Sequence, residues 1–158
     1  MKILGLDPGT ARLGWGAIDN ETMVACGCLE TKPGLAEEAR LKTLFEQLGR
    51  LIKQYRPEAV AVEKLFFFQN QTTVMAVAQS RGVILLAAAQ NNLPVFSYTP
   101  LQIKQAVTGH GRADKNQVQQ MVKSILKLKL IPKPDDAADA LAVALTHAFS
   151  YKFKSRVK

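Results

Sequence analysis

Four carboxylates stand where they could do chemistry. Asp7 and Glu63 each close a short apolar run (ILGLD and AVAVE), and Asp136 and Asp139, three residues apart in DDAADALAV, share one face of a helix. The chain has 13 acidic residues against 21 basic ones, so where the acids fall is informative. Four carboxylates converging from three elements would repel one another, and such a cluster persists only if protons or cations neutralise it. All-oxygen donors select hard ions, Mg²⁺ or Mn²⁺ rather than Zn²⁺. Two such ions ~3.5–4 Å apart clamp the attacking and leaving oxygens of a phosphodiester during in-line displacement. Taken singly, each acid has an ordinary explanation: an Asp at a strand end is commonly a turn residue, and Asp135 or Asp136 suits a helix N-cap. The combination says more, because burying an unpaired charge at the end of an apolar run is costly.

Those acids need elements to position them. Ile3 to Leu6 reads as a buried strand stopped by Pro8-Gly9, which leaves Asp7 at its carboxyl edge. Leu13 to Ile18 and Met23 to Leu29 read as two more strands joined by a tight turn at Asp19-Asn20-Glu21, which makes an antiparallel meander. Helical spacing runs from Leu35 to Tyr55, and Ala59 to Glu63 is a central strand covered on both faces. A second helix, Gln71 to Asn91, is apolar on nearly every side and must be buried on more than one, for which subunit contact is one route. Val95 to Tyr98 is a fifth strand, followed by a short helix from Pro100 to Val107 and a basic loop, TGHGRADKNQ. Asp114 caps a helix reaching Leu126, and Pro134-Asp135 opens a last helix through Ser150. These interleaved strands and helices describe one α/β domain over residues 1–150, with a basic tail, YKFKSRVK, at 151–158. Ligand sites in open α/β sheets gather outside the carboxyl ends of strands, where Asp7 and Glu63 fall.

Composition narrows the class further. Hydrophobic residues make up 47% and charged ones 22% of 158 residues, enough for a sizeable core. The net charge of +8 favours an anionic partner. The longest unbroken apolar run, Val83 to Ala89, is seven residues against the ~20 of a membrane span. With no secretory signal visible at MKILGLDPGT, the expectation is a cytoplasmic protein without a membrane partner. Cys26 and Cys28 are too few and too close for a disulfide framework and read as small core residues. His147, two turns beyond Asp139, reads as a packing histidine.

The stretches ILGLDPGTARLGWGAID, AVEKLFFFQN, IKQAVTGHGRADKNQV and DDAADALAVALTHA together resemble the RuvC family of bacterial Holliday-junction resolvases, in order and over nearly the whole chain. That resemblance implies an RNase H-like fold with a mixed five-stranded sheet flanked by helices. It also implies a homodimer that nicks four-way DNA junctions symmetrically, in recombination and repair, beside a branch-migration helicase. It places the catalytic, metal-binding acids at Asp7, Glu63, Asp136 and Asp139, holding two Mg²⁺ ions with Mn²⁺ as a substitute, and marks Asp135 as the neighbour to be wary of. It puts Lys104 and Lys115 near the scissile phosphate or the DNA backbone and Phe66 on an unpaired base, with Phe67 and Phe68 fitting less closely. Arg112, Lys123, Lys127 and Lys129 would add affinity for phosphates without reading sequence.

Other readings stay open on the residues alone. A lysine in a polar, glycine-containing stretch is commonly just solvated, and consecutive aromatics are commonly core. LDPGT also resembles the phosphate loop of actin-like sugar kinases, although a second such loop is missing and 158 residues supply one of the two domains needed. A non-catalytic branched-DNA module would have lost an acid, and all four are present. An RNase H-like nuclease acting on ribosomal RNA precursors would share the D-x-G motif, but the IKQ and ADKNQ elements fit it poorly.

Overall fold

The computed structural model describes residues 1–9, 11–64 and 71–156. Strands β1 (Lys2–Pro8), β2 (Arg12–Asp19) and β3 (Thr22–Glu30) form the meander. Helix α1 (Glu37–Tyr55) leads to β4 (Ala59–Glu63), and α2 (Gln71–Gln90) crosses over to β5 (Val95–Tyr98). Helices α3 (Pro100–Thr108), α4 (Lys115–Ile125) and α5 (Asp135–Arg156) complete the chain. The sheet order is β3-β2-β1-β4-β5, antiparallel among the first three strands and parallel from β1 to β4 to β5. This is the mixed five-stranded sheet expected of an RNase H-like fold.

Strand alternation sorts the residues into two cores. Leu4, Leu6, Leu13, Val60 and Val62 point to α1 and α2, where Leu44, Leu48, Ile52 and Ile84 meet them. Ile3, Ile18 and Ala61 point to the other face, under α3, α4 and α5. By the same alternation Asp7, two residues beyond Gly5, and Glu63, two beyond Ala61, belong to the α5 face. Helix α5 is built almost wholly of buried small residues over 137–148, including Ala140, Leu141, Ala144 and Leu145. Alanine is the best helix former and adds little bulk, so this helix can lie close to the sheet.

Glycine makes the approach closer still. A Cβ added at Gly5 would lie 2.1 Å from the Ala140 carbonyl oxygen, one at Gly14 would lie 2.1 Å from that of Asp136, and one at Gly16 would lie 2.7 Å from the Leu141 side chain. Gly5 pairs with Gly16 and Gly14 with Asp7 across the β1–β2 ladder, so the three glycines form a bare strip of backbone. The first turn of α5 therefore rests on the residue opposite Asp7.

The structure differs from the sequence expectation at two places. Helix α5 continues past Ser150 to Arg156, so most of the basic tail is helical. Cys26 and Cys28 are half-buried rather than core; Cys26 packs against the α5-side core, and Cys28 lies opposite Gly14 in the β2–β3 ladder. Elsewhere the elements agree, and Asn20 adopts φ 55 in the expected turn.

Gly14→Ala is expected to cost about 1–3 kcal/mol through overpacking, lowering the Tm by roughly 2–12 °C. Gly49→Ala, on α1 with nothing within 4 Å of its added Cβ, is expected to be neutral or stabilising by up to about 1 kcal/mol. Calorimetry on the two variants checks the contrast.

Candidate active site

Three elements deliver the four acids. The carboxyl ends of the parallel strands β1 and β4 carry Asp7 and Glu63, and the start of α5, seated on Gly14, carries Asp136 in its first turn and Asp139 in the next. Each of the four contributes to the same electrostatic field. Burial and the charges of Glu63, Asp139 and Asp136 push Asp7 up to about 8 from an ordinary 3.8, and Asp7 and Glu63 are joined by a side-chain hydrogen bond. Such a bond between two carboxyls needs a shared proton, which is how the pair relieves its repulsion. Burial also raises Glu63 and Asp139, although lysines oppose the shift at both.

Asp135 is separated from this group. It is 47% exposed against 27% for Asp139, and it pairs with Lys133 at 2.8 Å and with Lys115 at 3.8 Å. Lys133 holds its carboxyl below the usual range. The acid to be wary of thus faces solvent, one residue before the one whose charge acts on Asp7.

Lys115 comes to the site through a local device. Asp114 accepts from the Gln117 backbone N–H at 2.8 Å while Gln117 Oε1 accepts from the Asp114 N–H at 2.9 Å, a reciprocal cap that fixes the start of α4. Lys115, the first helical residue, then reaches Asp139 at 3.0 Å. Its charged form is favoured by that carboxylate together with Asp135 and Asp136, against the opposing effect of burial. Thr99 and Gln102 form the same kind of cap on α3, with Pro100 in its first turn. Lys104 on that helix lowers Glu63 electrostatically. Glu63, Lys104, Lys115 and Asp139 line the mouth of a cavity of about 200 Å³ whose walls include Ile103 and Val118. Arg112 is exposed in the connection between α3 and α4, outside that lining. Phe66, with Phe67 and Phe68, lies outside the described residues.

The donor set is all oxygen, which fits a hard divalent cation. Among the described residues no group of three acidic, histidine or cysteine side chains is already drawn into a metal-binding arrangement. Asp7 is instead turned to Glu63, and Asp139 to Lys115. Cys28 was not singled out from sequence as a neighbour of the site, yet Asp136 acts on its thiol, which burial and that charge push upward. The signal was its register opposite Gly14, which only the strand pairing reveals. His147 is the packing residue expected: it is 3% exposed, stacked on Phe96 at 4.1 Å, and bonded to the Tyr98 hydroxyl at 2.7 Å.

Asp7 and Glu63 ionise at higher pH folded than unfolded, so the stability linked to them is full below about pH 4 and falls as pH rises, that of Asp7 being lost through about 8. In EDTA, urea midpoints of wild type relative to Asp7→Asn are therefore expected to fall across that window. A difference between the two proteins that stays constant from pH 4 to 8 would contradict the cluster.

With this geometry in view, comparison with known proteins is informative. The family model for "Crossover junction endodeoxyribonuclease RuvC" matches residues 3–147. A relative of that name from Pelotomaculum thermopropionicum is 52% identical over 162 residues, covering 100% of this chain and 99% of its own. The solved structure of Thermus thermophilus RuvC superposes with a TM-score of 0.91 at 37% identity, covering 98% of this chain and 97% of that one. The same protein solved in complex with a Holliday junction substrate gives the same values. A yeast mitochondrial Holliday junction resolvase shares the fold at a TM-score of 0.62 and 14% identity, over 99% of this chain and 86% of its own.

Proposed function

This chain belongs to the RuvC family, and we propose from that membership and from the acid cluster that it is a Mg²⁺-dependent endodeoxyribonuclease resolving four-way DNA junctions by paired symmetric nicks, in recombination and repair. The observation that carries the reading is the convergence of Asp7, Glu63, Asp136 and Asp139, which drives Asp7 up to about 8. Ionised together, these carboxylates repel one another and cost stability, and bound cations would relieve that repulsion. The four carboxylates would hold two Mg²⁺ ions, with Mn²⁺ as a substitute, and Asp7 would serve both. Bound there, the ions supply an activated water and stabilise the departing 3′ oxygen.

The remaining residues orient the strand. Lys104 and Lys115 flank the cavity mouth and offer cations to the phosphates on either side of the nick. A phosphate arriving beside Lys115 competes for the ammonium that now holds Asp139, which frees that carboxylate. Arg112, Lys123, Lys127 and Lys129 add sequence-independent attraction, so binding weakens steeply with salt. Phe66, at the start of the segment after Glu63, is assigned to stacking on an unpaired base, worth ~1–3 kcal/mol. The nuclease domain is taken as residues 1–150, followed by the basic tail. With all four acids present, a purely binding role is disfavoured, and family membership removes the sugar-kinase reading.

Paired nicks need two sites, and α2 supports a homodimer. By length and composition Thr73–Gln90 could cross a membrane. Its Ile84, Ala87 and Ala88 are buried in this fold, however, and Ser80 is bonded to the Gly9 carbonyl at 3.2 Å. The face turned outward carries Met75 (69% exposed), Gly82 and Leu86 (53% exposed), at i, i+7 and i+11. Among the described residues nothing lies within 4 Å of a Cβ added at Gly82, so no contact among them explains a mid-helix glycine that costs about 1 kcal/mol. Close approach of a second α2 does, and a two-fold dimer matches the symmetry of a four-way junction. A branch-migration helicase and a cytoplasmic location complete the proposal, by family resemblance alone.

Asp7→Asn is expected to bind a synthetic four-way junction within a few-fold of wild type while losing several kcal/mol of transition-state stabilisation, about 10³-fold in single-turnover nicking. Loss of binding as well would mean that the substitution disturbs the fold. Leu86→Asp is expected to sediment as a monomer and to lose simultaneous paired nicks; a variant that remains dimeric would place the interface elsewhere. Structured RNA cut as fast as junction DNA would favour the RNA-nuclease reading.

A further inference from the structure

The exposed side of α4 next to the site is unlike the rest of this basic surface. Between Lys115, which touches Asp139 at 3.0 Å, and Lys123 two turns on, its exposed residues are Asn116, Gln117, Gln120 and Met121, none of them charged. Asn116 and Gln120 are one turn apart and point to the same side. With His110, Gln117 and Met121 they border a cavity of about 360 Å³, larger than the one at the acids. Gln117 is occupied otherwise, since its side chain closes the cap with the Asp114 backbone N–H at 2.9 Å.

We infer that Asn116 and Gln120 read base edges close to the nick and set a preference for the sequence that is cut. This inference rests on the nuclease reading above. Phosphates are anchored by Lys and Arg, which a chain of net charge +8 has in abundance. A carboxamide is a weaker phosphate anchor, but it presents a donor and an acceptor side by side, the pattern that pairs with the N6 and N7 edge of adenine. Lysines at both ends of the amide pair would grip the backbone while the amides between them face the groove. Gln120 lies about 7.5 Å along the helix axis from Lys115, and successive nucleotides rise 3.4 Å. The bases within reach are therefore those within about two nucleotides of the phosphate beside Lys115.

The experiment uses a pool of four-way junctions randomised over three positions on each side of the crossover, cut by the full-length protein with Mg²⁺, with products sequenced. Wild type is expected to discriminate about ten- to a hundredfold at one or two positions within two nucleotides of the nick. Asn116→Ala or Gln120→Ala should reduce that to about twofold. Gln117→Ala should lower the Tm and slow nicking at every sequence alike, through the lost cap that places Lys115, while the relative preference among sequences stays as it is, which separates base reading from a structural role of the helix. Junction-selective nicking whose preference survives in both variants, or that shows no preference in wild type, overturns the inference alone. A pool that wild type does not cut overturns it together with the nuclease reading.

Discussion

Helix α5 touches the sheet backbone at Gly5, Gly14 and Gly16, and the rest of the site takes its position from that contact. A side chain at any of the three would push the helix outward. Because Gly14 is the cross-strand partner of Asp7, the displacement would be felt first at Asp136, which sits over Gly14. The small buried residues of α5 serve the same end from the helix side, with Ala140 over Gly5 and Leu141 over Gly16. The strip is thus a packing device that brings the start of α5, with its carboxylates, down onto the strand beside Asp7.

That closeness has an electrostatic cost, and the structure shows how it is met. Asp7 and Glu63 share a hydrogen bond, Lys115 takes Asp139, and Lys133 draws Asp135 away to the surface. Each is a local answer to repulsion that a divalent cation would resolve more completely. Stability is given up here and recovered in the two cores on either side of the sheet, a trade common at catalytic sites. The two reciprocal caps matter for the same reason: by fixing where α3 and α4 begin, they place Lys104 and Lys115 in the lining of the cavity beside Glu63 and Asp139.

Much of this was legible in the residues. The Pro8-Gly9 break located Asp7, the run AVAVE located Glu63, and the i, i+3 spacing put Asp136 and Asp139 on one face. All five strands fall close to their expected bounds because their apolar runs are short and sharply punctuated. The role of Gly14 and Gly16 was not legible, since LGWGAI reads as a weak strand until its register against α5 is known. Asp135 could be set apart from Asp136 only by seeing Lys133 and Lys115 beside it. The extension of α5 past Ser150 was hidden by a change of composition, from buried alanines to an exposed basic face on which Lys152 pairs with Glu21 at 2.6 Å. Cys28 was misjudged as core because period-two alternation gives the face of a strand residue and not the depth of what covers it.

The most direct test is strand-specific mapping of nicks on an end-labelled four-way junction and on a linear duplex of the same sequence, with Mg²⁺ and with EDTA. Paired nicks at symmetric positions on the junction, absent from the duplex and abolished by EDTA, are the expected result. Equal cutting of duplex and junction, or nicking that persists in EDTA, would contradict the assignment of these four acids to a cation-dependent junction nuclease.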